Sequence, residues 1–318
     1  MDEGLSGKSP LLREAFEEFR AFQPTAGTRP GTGAEPQTGT GFWNGTGPRT
    51  DTELRTGADP RTGLSADFSY RIRISAGSGF GQSNCALLYQ NPDCAYPTRL
   101  FQMKDGSFQV EFQKGDSDEK LSFVISKDWT SLTLTEDSVK DSGEMLFQRL
   151  GALFSMAILN FQSCVMHCAV LDYEGSGILL IAPSGTGKST HSSKWAELGY
   201  ASVLNGDRGL CCRMDGSWYV YGMPWAGSSD IRINRGIPLH AVVALEQAKA
   251  NEVVRLNPLQ KELSLLRNMF ATVTEGPLQE AAYACAADLA EKIPILKLRC
   301  LPDQESVEVL KGYLDGIL

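Results

Sequence analysis

The sequence predicts a protein of mixed α/β class, and three features of the chain support this. Short runs in which apolar and polar residues alternate, as in strands, occur from residue 67 onward. Stretches with apolar residues three and four positions apart, as in helices, stand among them, beginning at 143–161. Between one apolar run and one helical stretch lies a glycine-rich loop, residues 182–190. The two periods together predict strands and helices that alternate around this loop.

Composition and charge limit the classes of function. The 318 residues suffice for two domains and a sizeable core. A formal net charge of −8 argues against a protein that coats nucleic acid. The polar, acidic start does not resemble a signal peptide, and no run reaches the ~18 apolar residues of a membrane span. We therefore expect a cytoplasmic protein with no nucleic-acid or membrane partner.

The cysteines predict buried thiols and no metal centre. The chain has eight Cys at irregular spacings and three His, without a Cys-x-x-Cys pair, so a zinc site is not expected. The adjacent Cys211 and Cys212 have two interpretations. They are a redox-active pair, or they occupy the two faces of one strand, and the second interpretation is favoured.

The chain is predicted to have three regions. Residues 1–66 combine a short amphipathic helix at 9–23 with a disordered segment at 24–66, where Thr-Gly and Arg-Thr-Gly units recur with almost no aliphatic residues. A partner-binding or glycosylated tract is the alternative for this segment. Residues 67–142 are predicted to form a small β-rich lobe, and 143–318 a nucleotide-binding domain.

Each element follows from local periodicity and turn residues. Strands are predicted at 68–74, 108–112, 121–125, 132–134, 165–171, 178–181, 201–204, 209–213, 218–221, 239–245 and 295–300. Helices are predicted at 143–161, 188–199, 258–271, 276–291 and 304–316.

The glycine-rich loop reads Ala-Pro-Ser-Gly-Thr-Gly-Lys-Ser-Thr and predicts a phosphate site. Small residues let the backbone curl so that successive N–H groups face phosphate oxygens, and the following helix adds its positive end. Lys188 can reach a β- or γ-phosphate, and the Ser189 hydroxyl can ligate Mg²⁺. The consensus begins with Gly where this chain has Ala182. The alternative is a glycine-rich turn without a ligand.

The residues expected to bind the phosphates of ATP follow one another without a gap. They are Ser184, Gly185, Thr186, Gly187, Lys188, Ser189 and Thr190.

Three further residues are candidates for the chemistry of phosphoryl transfer. Asp207 follows the strand at 201–204 and can bind Mg²⁺, together with Ser189, or accept a proton; an ordinary turn residue is the alternative. His167 lies on the strand before the loop, where a lone His is more often a hydrogen-bonded core residue. Arg235 ends a glycine-rich segment and could reach a transferred phosphoryl group, or it is simply solvated.

The order of these motifs over about residues 160–245 resembles the C-terminal domain of HPr serine kinase/phosphorylase, which is related to ATP-dependent phosphoenolpyruvate carboxykinase. His167, the loop and Arg235-Gly236 match that pattern. The Ala-Asp-Asp stretch of the family falls on Asn205-Gly206-Asp207, so one of its two carboxylates is retained. The resemblance implies an ATP- and Mg²⁺-dependent kinase acting on a hydroxyl, with Asp207 as metal ligand or base, His167 orienting it and Arg235 stabilising charge. It also implies a homo-oligomer.

The chain also resembles a bacterial group of HPr-kinase-like proteins, through its Asn-Gly-Asp-Arg segment at 205–208 and its Gly-x-Pro-Trp-x-Gly-Ser-Ser segment at 222–229. This resemblance implies a peptide or small-protein acceptor, with Ser as the expected hydroxyl. The missing second carboxylate leaves an alternative, an ATP-binding regulatory module without transfer activity. A carboxykinase-like activity is disfavoured, since three His offer few further metal ligands.

Overall fold

A computed structural model gives the fold of the chain. It describes residues 49–55, 69–75, 85–91, 98–113, 120–135, 143–270 and 277–317. The predicted helix at 9–23 lies outside the described residues. The chain divides into two compact units, Met1–Arg149 and Leu150–Leu318, so the division falls seven residues after the predicted boundary at 143.

The first unit contains a seven-stranded sheet in the order β1-β2-β7-β6-β5-β4-β3. Neighbouring strands are antiparallel, except that β2 and β7 are parallel. The strands are β1 (Arg49–Arg55), β2 (Ser69–Ser75), β3 (Cys85–Asn91), β4 (Thr98–Met103), β5 (Phe108–Gln113), β6 (Lys120–Ile125) and β7 (Ser131–Thr135). Alternating apolar residues on the central strands, such as Phe123, Ile125 and Leu132, are fully buried.

The predicted disorder at 24–66 is contradicted at β1, which lies inside that segment and pairs with β2 along its whole length. The local sequence differs from the repeats on either side, because Arg-Thr-Asp-Thr-Glu-Leu-Arg has two β-branched Thr residues and no Gly. The described residues of 24–66 are those of β1 alone. Strands β3 and β4 were not predicted, whereas β2, β5, β6 and β7 were.

The second unit combines the remaining strands with helices. The strands are β8 (Ser163–Tyr173), β9 (Ser176–Ile181), β10 (Ser202–Asn205), β11 (Arg208–Met214), β12 (Ser217–Gly222), β13 (Gly236–Gln247), β14 (Glu252–Arg255) and β15 (Ile295–Cys300). The helices are α1 (Gly143–Ala157), which begins before the division, α2 (Lys188–Glu197), α3 (Pro258–Asn268), α4 (Pro277–Lys292) and α5 (Gln304–Leu314). Only β14 lacks a counterpart among the strands predicted for this unit.

The eight strands of this unit form one sheet in the order β10-β8-β11-β12-β13-β15-β14, with β9 paired to both β8 and β13. Strand β8 is antiparallel to β11 along its first half and to β9 along its second half. Strands β9, β13 and β15 run parallel, so their carboxyl ends meet at one edge of the sheet. The glycine-rich loop leaves β9 at this edge.

Helix α2 packs on the core through a single large side chain, Trp195, which is fully buried and lies edge-on to Tyr173 at 5.4 Å between ring centroids. Apolar residues of β9, β13 and α5, including Leu180, Val243 and Leu310, complete this cluster. The packing of Trp195 holds α2, the helix that follows the loop, against the sheet.

The described part of the chain is thus a strand-rich mixture of helix and sheet, which agrees with the predicted α/β class at that level. Among the described helices, none combines the length and the apolar character needed to cross a membrane.

Candidate functional site

The glycine-rich loop connects the carboxyl end of β9 to the first turn of α2. Gly185 and Gly187 have φ angles of +77° and +116°, a region that favours glycine. A Cβ at either position would have no heavy atom within 4 Å, so open space lies over the loop. Ser184 and Ser189 are exposed there. The loop is therefore an accessible stretch of backbone that ends on a helix N-terminus.

Lys188, the first residue of α2, folds back across the loop and donates a hydrogen bond from Nζ to the Ala182 carbonyl at 2.8 Å. Burial lowers the pKa of its ammonium, and the charge of Asp207 opposes that shift. The Nζ atom is thus held over the loop, with a carboxylate close enough to interact with it.

Asp207 lies between two nitrogen groups from neighbouring strands. Its Oδ1 is 3.5 Å from Nε2 of His167, and its Oδ2 is 3.2 Å from Nε of Arg208. The Asp207 side chain keeps 24% of its exposure. The carboxylate is oriented by these contacts and remains accessible from the solvent side.

The turn that carries Asp207 is built by Asn205, a fully buried polar residue. Its Oδ1 accepts hydrogen bonds from the backbone N–H groups of Asp207 and Arg208, at 2.9 and 2.8 Å. Its Nδ2 donates to the carbonyl of Met223 at 2.7 Å and to that of Trp225 at 3.3 Å. One amide therefore joins the Asp207 turn to the segment that follows β12.

His167 reaches Asp207 because β8 and β11 pair with Arg208 directly opposite His167. Its ring also lies 5.6 Å from that of Phe270. Burial lowers the pKa of the imidazole, and the positive charge of Lys188 lowers it further, against the opposing effect of Asp207. His167 is thus neutral near pH 7, and in the tautomer with a proton on Nε2 it donates toward the carboxylate.

Arg208 and Phe270 belong to this cluster but were not among the predicted site residues. The Arg208 guanidinium lies over the Phe270 ring, 4.4 Å from its centroid. The Phe270 backbone N–H bonds the Val165 carbonyl at 2.8 Å, which anchors the chain after α3 beside β8. This pairing joins segments about a hundred residues apart, so periodicity gave no signal for it. Arg208 could have been predicted as a site residue, because it directly follows Asp207 in the sequence.

Arg235 does not join the other predicted residues. Its Nη1 forms an ion pair with Oδ2 of Asp172 at 2.6 Å. Asp172 is opposite Gly177, near the start of β9, whereas the loop leaves the far end of that strand. Four residues of β9 separate Gly177 from the last residue before the loop, which corresponds to about 13 Å at ~3.3 Å per residue. The structure therefore places Arg235 away from the loop, as part of the opposite end of the β8–β9 hairpin.

A cleft of about 640 Å³ opens on the other side of the loop from Asp207. Its walls come from the first half of the loop, the carboxyl end of β13 and the last turns of α3. Nε2 of Gln247 donates to the Thr186 carbonyl at 3.3 Å and joins two of these walls. The sequence predicted these elements one by one. They meet at one edge because β9 and β13 pair in parallel.

Two oxygen groups near the loop, those of Asp207 and Ser189, are of the chemical kind that Mg²⁺ takes as ligands. No group of three or more His, Cys, Asp or Glu suited to a metal occurs within the described ranges. Mg²⁺ in phosphoryl-transfer sites usually takes one or two carboxylates and completes its shell with phosphate oxygens and water. The accessible carboxylate of Asp207 and the exposed hydroxyl of Ser189 suit that role.

The cysteine pair takes the conservative interpretation. Cys211 and Cys212 alternate along β11 and are both buried. Burial raises the pKa of the Cys212 thiol to about 12. The pKa of Cys211 is raised first by a hydrogen bond with Cys164 and then by burial. Buried thiols with raised pKa values are poor nucleophiles. Neither residue takes part in the site.

Fold and site define a mixed α/β protein with an open glycine-rich loop next to an Asp–His pair. The model of the family "SynChlorMet cassette protein ScmC" matches residues 140–302, slightly more than half of the chain. The chain belongs to this family. The match covers the loop, His167, Asp207 and most of the second unit.

Other comparisons add little. A structure of the Hpr(Ser) kinase/phosphatase from Coxiella burnetii is 11% identical and has a TM-score of 0.29. The match covers 48% of this chain and 93% of that one. The similarity between the two chains is weak. No curated protein matches the chain.

Proposed function

We propose that the protein is an ATP-dependent phosphotransferase that acts on a hydroxyl, with Ser of a peptide or small protein as the acceptor. The observation that carries this proposal is the open loop ahead of α2 with the accessible carboxylate of Asp207 nearby. The loop would be enough for a site that only binds a nucleotide. A carboxylate oriented by a neutral His next to that loop suits a reaction that must also remove a proton.

The loop residues 184–190 receive the phosphates in this proposal. Their backbone N–H groups and the positive end of α2 face the phosphate oxygens. Lys188 exchanges its hydrogen bond to the Ala182 carbonyl for one to a β- or γ-phosphate oxygen. Ser189 and Asp207 would hold Mg²⁺, and the ion would supply neutralising charge at the phosphates.

Asp207 and His167 act on the acceptor. Asp207 accepts the proton of the acceptor hydroxyl. As it does so, the hydroxyl oxygen forms a bond to the γ-phosphorus of ATP, and the bond between that phosphorus and the bridging oxygen of ADP breaks. His167, with Nε2 3.5 Å from Oδ1, and Arg208, which donates to Oδ2, hold the Asp207 carboxylate in place. Arg208 supplies a fixed positive charge beside the same carboxylate. We leave Arg235 out of this scheme because of its ion pair with Asp172.

The alternative is an ATP-binding regulatory module without transfer activity. The single carboxylate favours it, because this chain has Gly206 at the position where the resembling kinases carry a second acidic residue. Both functions require nucleotide binding, so binding and transfer are measured separately.

Nucleotide binding is tested by calorimetry with Mg-ATP on wild type, Lys188→Ala and Lys194→Ala. Lys194 lies in the last turn of the same helix and serves as the matched control. We expect Lys188→Ala to weaken binding by about tenfold or more, from loss of a charge-assisted hydrogen bond, and Lys194→Ala to leave it unchanged. Equal affinities in all three proteins would exclude the loop as the phosphate site.

Transfer is tested with γ-labelled ATP and candidate Ser-containing peptides. Label on a peptide, lost in Asp207→Asn, supports the phosphotransferase. Binding of Mg-ATP with no label on any acceptor and no slow hydrolysis supports the regulatory module.

A further inference from the structure

We propose that the cleft between the loop, β13 and α3 holds the nucleoside end of the nucleotide. This inference rests on the proposed function and assigns a place to the part of the ligand that the loop does not bind. It follows from the order of the strands, from the chemistry of the cleft walls and from a cation at its edge that forms no ion pair within the described ranges.

The strand order fixes the direction of the ligand. Strand β9 lies between β8 and β13. The Asp207 carbonyl accepts a hydrogen bond from the Cys168 N–H at 3.0 Å, so Asp207 lies on the β8 side of the loop. The cleft lies on the β13 side. A phosphate chain whose reacting end faces Asp207 therefore directs its other end toward the cleft.

The Asp207 side has little room for a nucleoside. A Cβ on Gly227 would lie 2.8 Å from Cγ of Asp207, and one on Gly206 would lie 2.1 Å from Oγ of Ser229. The segment after β12 therefore packs closely on the Asp207 turn. The cleft, by contrast, begins at the open first half of the loop.

The walls of the cleft suit a base and sugar. Ile181, Ala244 and Leu245 line the cleft with apolar groups, and Gln247, Ser264 and Asn268 line it with polar groups. Ligand sites of 300–1,000 Å³ with this mixture are typical for small molecules, and the volume of about 640 Å³ falls in that range.

The charges at the cleft favour an anionic ligand. Lys297 is held by Glu246 through an ion pair of 2.6 Å. Arg267, in the last turn of α3, is exposed and forms no ion pair with any residue that the structure describes. Its guanidinium is thus available near the point where a phosphate chain would enter the cleft.

The test compares Mg-ATP with Mg-tripolyphosphate, which carries the phosphates without a nucleoside. Ser264→Trp fills the cleft from α3, and Leu259→Trp places the same side chain at an exposed position of that helix. We expect Ser264→Trp to weaken ATP by about tenfold or more and tripolyphosphate by less than about twofold. Leu259→Trp should change neither. The smaller Ser264→Met should give an intermediate loss for ATP.

Each result decides the inference. Unchanged ATP affinity in folded Ser264→Trp, or equal weakening of both ligands, overturns it. If wild type does not bind tripolyphosphate, the comparison of Ser264→Trp with Leu259→Trp for ATP decides. Lys188→Ala in the same series separates the two proposals. Loss of binding in Lys188→Ala without a selective effect of Ser264→Trp rejects the cleft and keeps the phosphate site.

Discussion

Gly227 lies directly against the carboxylate side chain of Asp207, with a backbone φ of +59°. A methyl group at position 227 would come within 2.8 Å of Cγ of Asp207 and within 3.1 Å of Oδ1. One of the two side chains would have to move. The position of the carboxylate thus depends on the absence of a side chain 20 residues further along the chain.

Gly227→Ala is expected to lower the rate of phosphoryl transfer more than the stability. The strained φ costs about 1 kcal/mol, and the new methyl group displaces Asp207. Gly216→Ala is the matched control, since Gly216 has a φ of +83° and open space around its Cβ position. Both variants should lose similar stability in urea unfolding, and only Gly227→Ala should lose activity. Equal activities would contradict the dependence of Asp207 on this glycine.

Asp207→Asn is expected to abolish transfer and leave the fold intact. The amide keeps the volume and an acceptor for His167 but removes the negative charge and the basic oxygen. If metal binding is the main loss, higher Mg²⁺ or Mn²⁺ restores part of the rate; if the base is lost, it does not. Asp215→Asn, in the exposed turn between β11 and β12, is the control. Wild-type turnover in Asp207→Asn would remove Asp207 from the mechanism.

Asn205→Ala is expected to destabilise the protein by roughly 3 kcal/mol, since four hydrogen bonds of a fully buried amide are lost. Asn160→Ala, at an exposed position with one long hydrogen bond, should cost less than about 1 kcal/mol. Urea unfolding measures both. A similar small loss in both variants would mean that water replaces the contacts of Asn205.

His191 is expected to make the protein less stable in acid. It is 4% exposed, neither ring nitrogen bonds a described residue, and burial lowers its pKa to about 4. The unfolded chain, with a pKa near 6.5, therefore takes up the proton first. Its stabilising contribution is complete above pH 6.5 and falls by roughly 3 kcal/mol as the pH drops to about 4.

Unfolding of wild type and His191→Leu at pH 7 and pH 4.5 measures this effect as a difference. The stability of wild type should fall more between the two pH values than that of His191→Leu. Parallel losses would show that carboxylates alone cause the acid sensitivity. The imidazole signals of His191 in NMR titration give the folded-state pKa directly.

Local signals in the sequence predicted most elements of the second unit. The hairpin of β8 and β9, the helix after the loop and the strands on either side of 214–217 each depend on residues close in the chain. Turn residues and periodicity carry that information. Gly185 and Gly187 have positive φ angles, which agrees with the expectation that small residues let the loop backbone curl.

Partners distant in sequence were not predictable in this way. The stacking of Arg208 on Phe270 and the ion pair of Arg235 with Asp172 depend on strand register and on where α3 ends. Nothing near Arg235 in the sequence distinguishes an arginine that faces a phosphate from one that faces an aspartate. The same limit applies to β3 and β4. Their sequence patterns are short, and these segments form strands because they pair with each other.

The reactivity of the buried cysteines depends on whether the protein is folded. Among the described residues, Cys164, Cys168, Cys211, Cys212 and Cys285 are buried thiols, whereas Cys85 and Cys300 are partly accessible. A thiol reagent added to the native protein reaches the first five only when the core opens. The labelling rate of the core thiols therefore reports opening of the second unit, without an added probe, in every variant considered above.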